Sequence, residues 1–303
     1  MFPTSHPERV VFPEIGATKG DVVAYYERLA PKLLPHVGGR ALTLKRYPKG
    51  AAGPGFFQKN VPPHYPASIA RLEVPKKDGV TTYPILSLEE HLPYVANQGA
   101  IELHVPCGRA ATWDTPDRVV IDLDPPPGGV EKVRVAAKRV KAVLDGFGLP
   151  STPVATGSKG YHIVAPIAPT TGWDTVAVTL QKLGAWLAHT HPDELTVAFR
   201  VKAREGKVFV DWLRNVPNAT VVAPYGLRAR PKANVATPIT WDELDAIAPD
   251  AFSIRDADAL LERPDPLIAL ESGAPDLGAF AAQVDEVFAE AKLEVERFDR
   301  FRS

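Results

Sequence analysis

Apolar side chains recur at helical spacing in four parts of the chain, each of which is predicted to be an amphipathic helix. The predicted helices cover 22–33, 133–147, 176–187 and 276–299. Thr18 and Asp21 precede the first helix at the spacing of a capping box, and the Pro- and Gly-containing segment 35–39 ends it. Gly148 ends the second helix. The acidic fourth helix is expected to pack against the body of the protein, with binding to a partner as the alternative.

Alternating apolar and polar residues predict two strands that carry aspartates. In VVIDLDPPP, Asp122 and Asp124 lie two residues apart, so a strand turns both carboxylates to one face. The opposite, buried face is formed by Val119, Ile121 and Leu123. The prolines and glycines that follow break this strand at an open rim. In KVFVDWLRN, Asp211 shares its face with Phe209 and Leu213, and the other face is formed by Val208, Val210 and Trp212.

The three aspartates suggest a site for divalent metal ions. An Asp-x-Asp pair alone is weak support, because such pairs occur in nucleotidyltransferases, sugar-nucleotide transferases and nucleases, and many strand-end aspartates simply face water. A buried Asp211 needs a partner. With Asp122 and Asp124 it would complete a site for two ions roughly 3.5–4 Å apart, the arrangement used for in-line phosphoryl transfer.

The segment TGSKGYHIVAP is a candidate phosphate site. Ser158, Lys159 and Gly160 form a predicted turn that opens into a strand carrying His162. A hydroxyl, an ammonium group, backbone N–H groups and an imidazole can then converge on phosphate oxygens. An ordinary glycine turn followed by a structural histidine is the alternative.

Composition limits the classes of protein that the chain can represent. A chain of 303 residues that is 45% hydrophobic can form one large domain or two closely packed lobes. One cysteine, Cys107, excludes an internal disulfide, and neither a signal sequence nor a membrane span is found, so a cytosolic protein without membrane contact is expected. The net charge is −1, but residues 1–75 and 202–232 each carry +5 and residues 250–303 carry −7. Two basic regions therefore bracket the acidic site.

The motifs together resemble the polymerase domain of bacterial multifunctional DNA ligase D, in the archaeo-eukaryotic primase superfamily. The resemblance rests on IDLDP, TGSKGYH, VFVDWLRN and APYGLRARP in that order, with FPEIGATKGD, LKRYP, PGFFQKN and ELHVP towards the amino terminus. It covers roughly Arg9 to Leu244.

The resemblance implies an α+β, primase-like fold, with a mostly antiparallel, RNA-recognition-type catalytic sheet flanked by helices. We expect a primase-polymerase domain over 1–248, in which an N-terminal α/β lobe covers about 1–115 and the catalytic sheet about 116–248. A C-terminal acidic extension, 249–303, is expected to follow.

Roles for individual residues follow from the resemblance. Asp122, Asp124 and Asp211 are the expected catalytic metal ligands for two Mn²⁺ or Mg²⁺ ions. The residues expected to contact the incoming nucleotide are Lys45, Phe56, Phe57, Ser158, Lys159, His162 and Arg228. Exposed aromatics between cations suit base stacking, although adjacent phenylalanines are more often core residues.

DNA contacts are expected from a further group of residues, Arg9, Lys19, Lys59, His104, Arg214 and Arg230. Of these, Arg9 and Lys19 align with the family's pocket for the 5′-phosphate downstream of a gap or break. The family usually has lysine at the first position, and arginine there keeps the charge and can bind phosphate bidentately.

The leading hypothesis is a template-directed nucleotidyltransferase that fills gaps and extends ends in non-homologous end joining, using nucleoside triphosphates and preferring ribonucleotides as the family does. A standalone primase is a second enzyme hypothesis, and a non-catalytic DNA-end-binding module is a hypothesis of another class. The Lys76–Gly79 segment fits the K-x-D-G pattern of ligases, but its composition predicts a turn. Sealing is therefore expected from a separate ligase, with recruitment by a Ku-like protein and a place near the nucleoid.

Overall fold

A computed structural model describes residues 3–296, which contain fourteen β-strands and eight α-helices. The strands are β1 (Val10–Phe12), β2 (Ala17–Thr18), β3 (Thr43–Arg46), β4 (Phe56–Gln58), β5 (Ala70–Lys76), β6 (Gly79–Ile85), β7 (Ala100–Val105), β8 (Arg118–Asp124), β9 (Thr152–Ala155), β10 (Tyr161–Pro166), β11 (Leu195–Thr196), β12 (Val208–Asp211), β13 (Val221–Val222) and β14 (Thr237–Pro238). The helices are α1 (Lys19–Arg28), α2 (Ala30–Val37), α3 (His91–Asn97), α4 (Val130–Gly146), α5 (Trp173–Thr190), α6 (Ala257–Glu262), α7 (Pro266–Glu271) and α8 (Gly278–Glu290). None of these helices is long and apolar enough to cross a membrane.

The larger sheet has six strands in the order β11-β12-β8-β10-β9-β14. Every neighbouring pair in it is antiparallel except β11 and β12. The alternation in β8 separates two cores: Val119, Ile121 and Leu123 pack with α4 and α5, whereas Val120 belongs to the core of the N-terminal lobe. Asp122 and Asp124 share the Val120 face, so both point towards the second lobe.

A second sheet, in the order β13-β7-β3-β4, forms the centre of the N-terminal lobe. Its neighbouring strands are all antiparallel. Although β13 lies within 116–248, it pairs with β7, so this segment contributes a strand to both sheets. The pairing of β13 with β7 therefore connects the segment 116–248 to the sheet of the N-terminal lobe.

A buried ion pair also ties the lobes together at the start of β8. Arg40, which has no exposed surface, donates from Nη1 and Nη2 to the Asp117 carboxylate at 2.7 and 2.6 Å. Arg109 donates to the same carboxylate at 2.8 Å. These cations hold the pKa of Asp117 down at about 2 against the effect of burial. The pairing fixes the amino end of the strand that carries Asp122 and Asp124.

Two predicted helices differ from those observed. The helix expected over 22–33 is divided at Leu29, because Pro31 lacks an N–H group and its ring conflicts with the carbonyl of Glu27. The capping box of Thr18 and Asp21 is present as predicted.

The helix predicted over 276–299 was too long. Helix α8 ends at Glu290, because Lys292 adopts the left-handed conformation at φ +53°, and residues 297–299 lie outside the described residues. The apolar side chains of α8, including Phe280 and Val284, are buried in the core shared with α5. This confirms the expectation that the helix packs against the body of the protein.

The strand predicted around Asp211 was also too long. It ends at Asp211, and Leu213 begins a short 3₁₀ turn instead of continuing the strand. Asp211 Oδ1 accepts a hydrogen bond from the Leu213 N–H at 2.9 Å, which closes the turn.

Candidate active site

A cleft of about 340 Å³ lies between the two sheets. It is lined by Lys45, Phe57, Glu102, His104, Asp122, His162, Arg214, Thr220, Val221, Val222 and Arg228. Seven of the residues predicted from the sequence are thus brought together from seven separate segments of the chain. One wall, called the basic wall, consists of Lys45, Phe57 and His104 from the N-terminal lobe together with Arg228 from the segment after β13. Asp122 and His162 on the larger sheet form the opposite, acidic wall.

The acidic wall is built by three adjacent strands. Asp122 lies on β8 directly opposite His162 on β10 and directly opposite Asp211 on β12. Asp124 is two residues further along β8, beside Phe209. The predicted pairing of the aspartates on one face therefore brings all three carboxylates to the same region of the sheet.

Burial raises the pKa of all three carboxyl groups. The pKa of Asp124 is raised further by the neighbouring Asp122, and that of Asp211 rises to about 6. Arg214 opposes the effect, because its Nε lies 3.0 Å from Asp122 Oδ2 and its Nη2 lies 2.9 Å from Asp211 Oδ2. Burial thus disfavours the charged form of these carboxylates, and a bound cation would reverse this effect.

The donor set fits a hard divalent cation, since Mg²⁺ and Mn²⁺ prefer carboxylate oxygens. Within residues 3–296, however, no three His, Cys, Asp or Glu side chains are grouped closely enough to hold a metal ion. The Arg214 guanidinium instead forms ion pairs with both Asp122 and Asp211. The sequence predicted a DNA contact for Arg214. In the structure, Arg214 is the counter-ion of two predicted metal ligands, Asp122 and Asp211.

The position of Arg214 is fixed by Asn215, which the sequence did not suggest. Asn215 is fully buried, and its side chain forms hydrogen bonds with the Val120 backbone at 2.7 and 2.8 Å. This amide replaces a missing strand neighbour of β8 and anchors the turn 213–215 beside the aspartates. In the sequence, the sole indication of this role is that Asn215 follows Asp211 by four residues, in the segment DWLRN.

His162 lies in the cleft and is not simply a core residue. Its Nε2 is 3.6 Å from Asp122 Oδ1. Burial, followed by the charges of Arg214 and Arg228, lowers the pKa of His162 to about 3, so the imidazole is neutral near pH 7. A neutral ring can donate a hydrogen bond from one nitrogen and accept one at the other.

The TGSKG turn lies at the edge of the cleft. Gly160 is required there, because a Cβ at this position would lie 1.9 Å from the Leu123 carbonyl oxygen on β8. Ser158 Oγ accepts a hydrogen bond from Arg230 at 2.8 Å, and Arg228 donates to the Thr156 carbonyl at 3.0 Å. Lys159 is exposed. The turn and the RAR segment therefore form one basic surface.

The aromatic prediction is supported by exposure. Phe56 and Phe57 on β4 are 47% and 56% exposed, so neither is a core residue. Arg46 lies 5.8 Å from the Phe56 ring centroid and Lys45 lies 5.2 Å from that of Phe57. Lys59, just beyond β4, is exposed as well.

Arg9 and Lys19 form a separate basic site, away from the residues that line the cleft. The Lys19 N–H donates to the Arg9 carbonyl at 2.8 Å, and β1 pairs with β2 between them. Arg9 is exposed, whereas Lys19 is buried and donates from Nζ to Ser5 Oγ at 2.7 Å. Burial and the charge of Arg9 lower the pKa of Lys19. Two cations held this close together favour an anion.

Glu102 was missed by the sequence analysis, although it is at the centre of the basic wall. It is 3% exposed, and its carboxylate contacts Tyr47, His104, Arg228, Lys45 and the Ala229 N–H. Burial raises the pKa of Glu102, but the hydrogen bond with His104 and the charges of Arg228 and Lys45 outweigh this effect and lower the pKa to about 2. Its only sequence signal was its place in ELHVP, two residues before the predicted His104.

An antiparallel sheet that carries aspartates opposite a basic and aromatic wall defines a nucleotidyltransferase of the primase-polymerase class. The family model for the LigD primase-polymerase domain matches residues 18–267, and the chain therefore belongs to that family. The family consists of metal-dependent, DNA-directed nucleotidyltransferases, so the expected family, fold and enzyme class are confirmed.

Curated relatives agree with this assignment. The chain is 35% identical over 278 residues to the multifunctional non-homologous end joining protein LigD of Mycolicibacterium smegmatis, covering 89% of this chain and 36% of that protein. It is 33% identical to the LigD of Pseudomonas aeruginosa, covering 80% of this chain and 29% of that one. The chain thus spans about a third of the length of these relatives.

A solved structure is similar as well. The polymerase domain of Mycobacterium tuberculosis ligase D in complex with DNA superimposes with a TM-score of 0.84 at 33% identity, covering 91% of this chain and 99% of that one.

Proposed function

We propose that this domain is the template-directed polymerase of non-homologous end joining, which fills gaps and extends broken ends. The observation that carries the proposal is the cleft, where Asp122 with its neighbour Asp211 faces Lys45, Arg228 and Phe57. Carboxylates for metal ions on one side and cations for a triphosphate on the other are what nucleotidyl transfer requires. The solved relative bound to DNA and the end-joining names of the curated relatives support the substrate.

Asp122, Asp124 and Asp211 would hold two Mn²⁺ or Mg²⁺ ions, since they are the carboxylates whose burial calls for a cation. When bound, the ions lower the pKa of the primer 3′-hydroxyl and neutralise charge on the triphosphate and the departing pyrophosphate. Arg214, which now neutralises Asp122 and Asp211, is then free to contact DNA phosphate.

The incoming nucleotide is contacted from both walls. Lys45 and Arg228 attract the phosphates, and neutral His162 donates a hydrogen bond to a phosphate oxygen. Ser158 and Lys159 extend this surface at the rim of the cleft. Phe56 and Phe57 present exposed rings on which a base stacks, worth ~1–3 kcal/mol per base.

The remaining residues of the predicted set contact the DNA. His104 lies near the primer terminus in the cleft, and Lys59, Arg214 and Arg230 contact the backbone around it. A Ku-like protein that holds the ends and a ligase activity that seals the product complete the pathway. The proposed role requires access to chromosomal DNA at the nucleoid in the bacterial cytoplasm.

Sugar choice provides a direct test of the polymerase proposal. In Mn²⁺, we expect a ribonucleotide to be incorporated with kcat/KM roughly 2–10-fold above its deoxy counterpart, about the worth of one hydrogen bond to the 2′-hydroxyl. The assay uses one gapped, primed template and both sugars, with an unprimed template alongside. An equal or reversed ratio would contradict the ribonucleotide preference, and extension of the unprimed template would favour a primase.

The 5′-phosphate pocket gives a second prediction. Arg9 and Lys19 lie together at the amino end of α1, which itself favours anions. The protein should bind gapped DNA more tightly when the downstream 5′ end is phosphorylated, by roughly 10-fold for a pair of charge-assisted contacts. The double change Arg9→Ala, Lys19→Ala should remove this difference in a filter-binding or anisotropy titration.

A matched control is available for this experiment. Lys138→Ala with Lys141→Ala removes two charges from α4, and it should leave the preference for phosphorylated gaps unchanged. If Arg9→Ala, Lys19→Ala instead weakens phosphorylated and unphosphorylated gaps by the same factor, the two residues are general surface cations and the pocket assignment is wrong.

A further inference from the structure

Glu102 differs from every other group in the cleft because it is an anion on the basic wall. It lies on β7 directly opposite Lys45 on β3, and its side chain is almost completely buried behind its partners. A carboxylate that faced a triphosphate would repel it. Although Glu102 is among the residues that line the cleft, its side chain is only 4% exposed and is paired with Lys45, His104 and Arg228, so we expect it to act on a substrate through these groups.

Each carboxylate oxygen of Glu102 holds a different set of groups. Oε2 lies 2.9 Å from His104 Nε2 and 3.5 Å from Arg228 Nε. Oε1 lies 3.7 Å from Lys45 Nζ and accepts hydrogen bonds from the Tyr47 hydroxyl at 3.1 Å and from the Ala229 N–H at 3.2 Å. Three side chains of the cleft, which come from β3, β7 and the segment after β13, therefore meet at one carboxylate.

The bond to the Ala229 N–H extends this control to the opposite side of the cleft. It fixes the backbone between Arg228 and Arg230, whose guanidinium groups bind Thr156 O and Ser158 Oγ in the TGSKG turn. One carboxylate thus determines where the basic groups from both lobes lie relative to one another. The two cations Lys45 and Arg228, packed this closely, would otherwise repel one another.

We propose that Glu102 is a positioning residue for nucleotide binding, which holds Lys45, His104 and Arg228 in the arrangement that receives the triphosphate. This inference rests on the proposed polymerase function. Its charge is retained at any working pH, because the pKa of Glu102 is about 2.

The variant Glu102→Gln tests this directly, because it keeps the side-chain shape and removes the charge. We expect the Kd for a matched ribonucleoside triphosphate, measured on a dideoxy-terminated gapped DNA with Mn²⁺, to rise about tenfold or more. Affinity for the gapped DNA alone should stay within about twofold, because charges beyond the cleft are screened. The matched control is Glu27→Gln, an exposed glutamate on α1, which should change neither value.

A double-mutant cycle separates positioning from general stabilisation. Because Glu102 acts in part through Arg228, adding Glu102→Gln to Arg228→Ala should weaken nucleotide binding by a clearly smaller factor than Glu102→Gln does in the wild-type protein. If Glu102→Gln does not fold, Glu102→Asp takes its place in the cycle, since it keeps the charge but shortens the reach. Fully multiplicative effects, or a nucleotide Kd in the variant equal to that of the wild type, would overturn the inference. Failure of the wild-type protein to bind or incorporate any nucleotide would instead refute the polymerase proposal.

Discussion

Replacing Asp122, Asp124 or Asp211 with alanine is expected to abolish nucleotide addition. Each change removes a proposed metal ligand from the acidic wall, where the three carboxylates lie on neighbouring strands. Metal stabilisation of charge in the transition state is worth several kcal/mol, so kcat should fall by about 10³-fold or more. Primer extension on gapped DNA at saturating Mn²⁺ measures the loss, and chelation of the metal should reproduce it in the wild-type protein.

The control for these variants is Asp193→Ala, which removes an exposed carboxylate near the end of α5 and should leave extension unchanged. Circular dichroism and binding of gapped DNA should remain close to wild type in all four variants. More than a few per cent of wild-type activity in Asp122→Ala, Asp124→Ala or Asp211→Ala would be incompatible with the assigned role of that residue.

Gly160→Ala is expected to destabilise the protein and inactivate it together. The added Cβ would lie 1.9 Å from the Leu123 carbonyl oxygen, a backbone atom that cannot move unless β8 shifts. Such overpacking typically costs ~1–3 kcal/mol. The shifted strand carries Asp122 and Asp124, so the acidic wall is disturbed as well. Urea unfolding and primer extension should both reveal the change.

Gly146→Ala provides the matched comparison. Gly146 is exposed at the end of α4, and a Cβ there would meet nothing within 4 Å. Alanine is a better helix former than glycine, so this variant should be stabilised by ~0.5–1 kcal/mol and should remain active. If Gly160→Ala unfolds at the same urea concentration as the wild type, β8 and β10 tolerate a wider separation than the structure shows.

Local chemistry made much of the site predictable from the sequence. The two-residue period of a strand placed Asp122 and Asp124 on one face, and the structure has Val119, Ile121 and Leu123 on the other as expected. The capping box of Thr18 and Asp21 could also be predicted, because it depends on two residues that are only three positions apart. Periodicity is a property of a segment alone, so no knowledge of tertiary structure was needed.

Contacts between segments that are distant in the chain could not be predicted from the periodicity of single segments. Glu102 is important because Lys45, Arg228 and Tyr47 converge on it, and their separation in the chain hides that convergence. The role of Asn215 likewise depends on its lying beside the Val120 backbone. Membership of β13 in the second sheet is decided by pairing with β7, which a two-residue strand does not specify.

The predicted ends of two helices were wrong for a different physical reason. Apolar spacing continues through Leu29 and Leu33, yet Pro31 divides the helix between them. In the C-terminal segment the spacing continues past Glu290, but the helix ends there and Lys292 adopts a left-handed conformation. Hydrophobic period identifies the face of a helix more securely than it identifies its ends.

Anomalous diffraction at the manganese edge tests the central claim most directly. Crystals of the protein with gapped DNA, Mn²⁺ and a non-hydrolysable ribonucleoside triphosphate should show two anomalous peaks bounded by Asp122, Asp124 and Asp211. The Arg214 guanidinium should then have left its position between Asp122 and Asp211. Absence of anomalous density at these aspartates, with the triphosphate bound elsewhere, would contradict the assignment of this cleft as the polymerase active site.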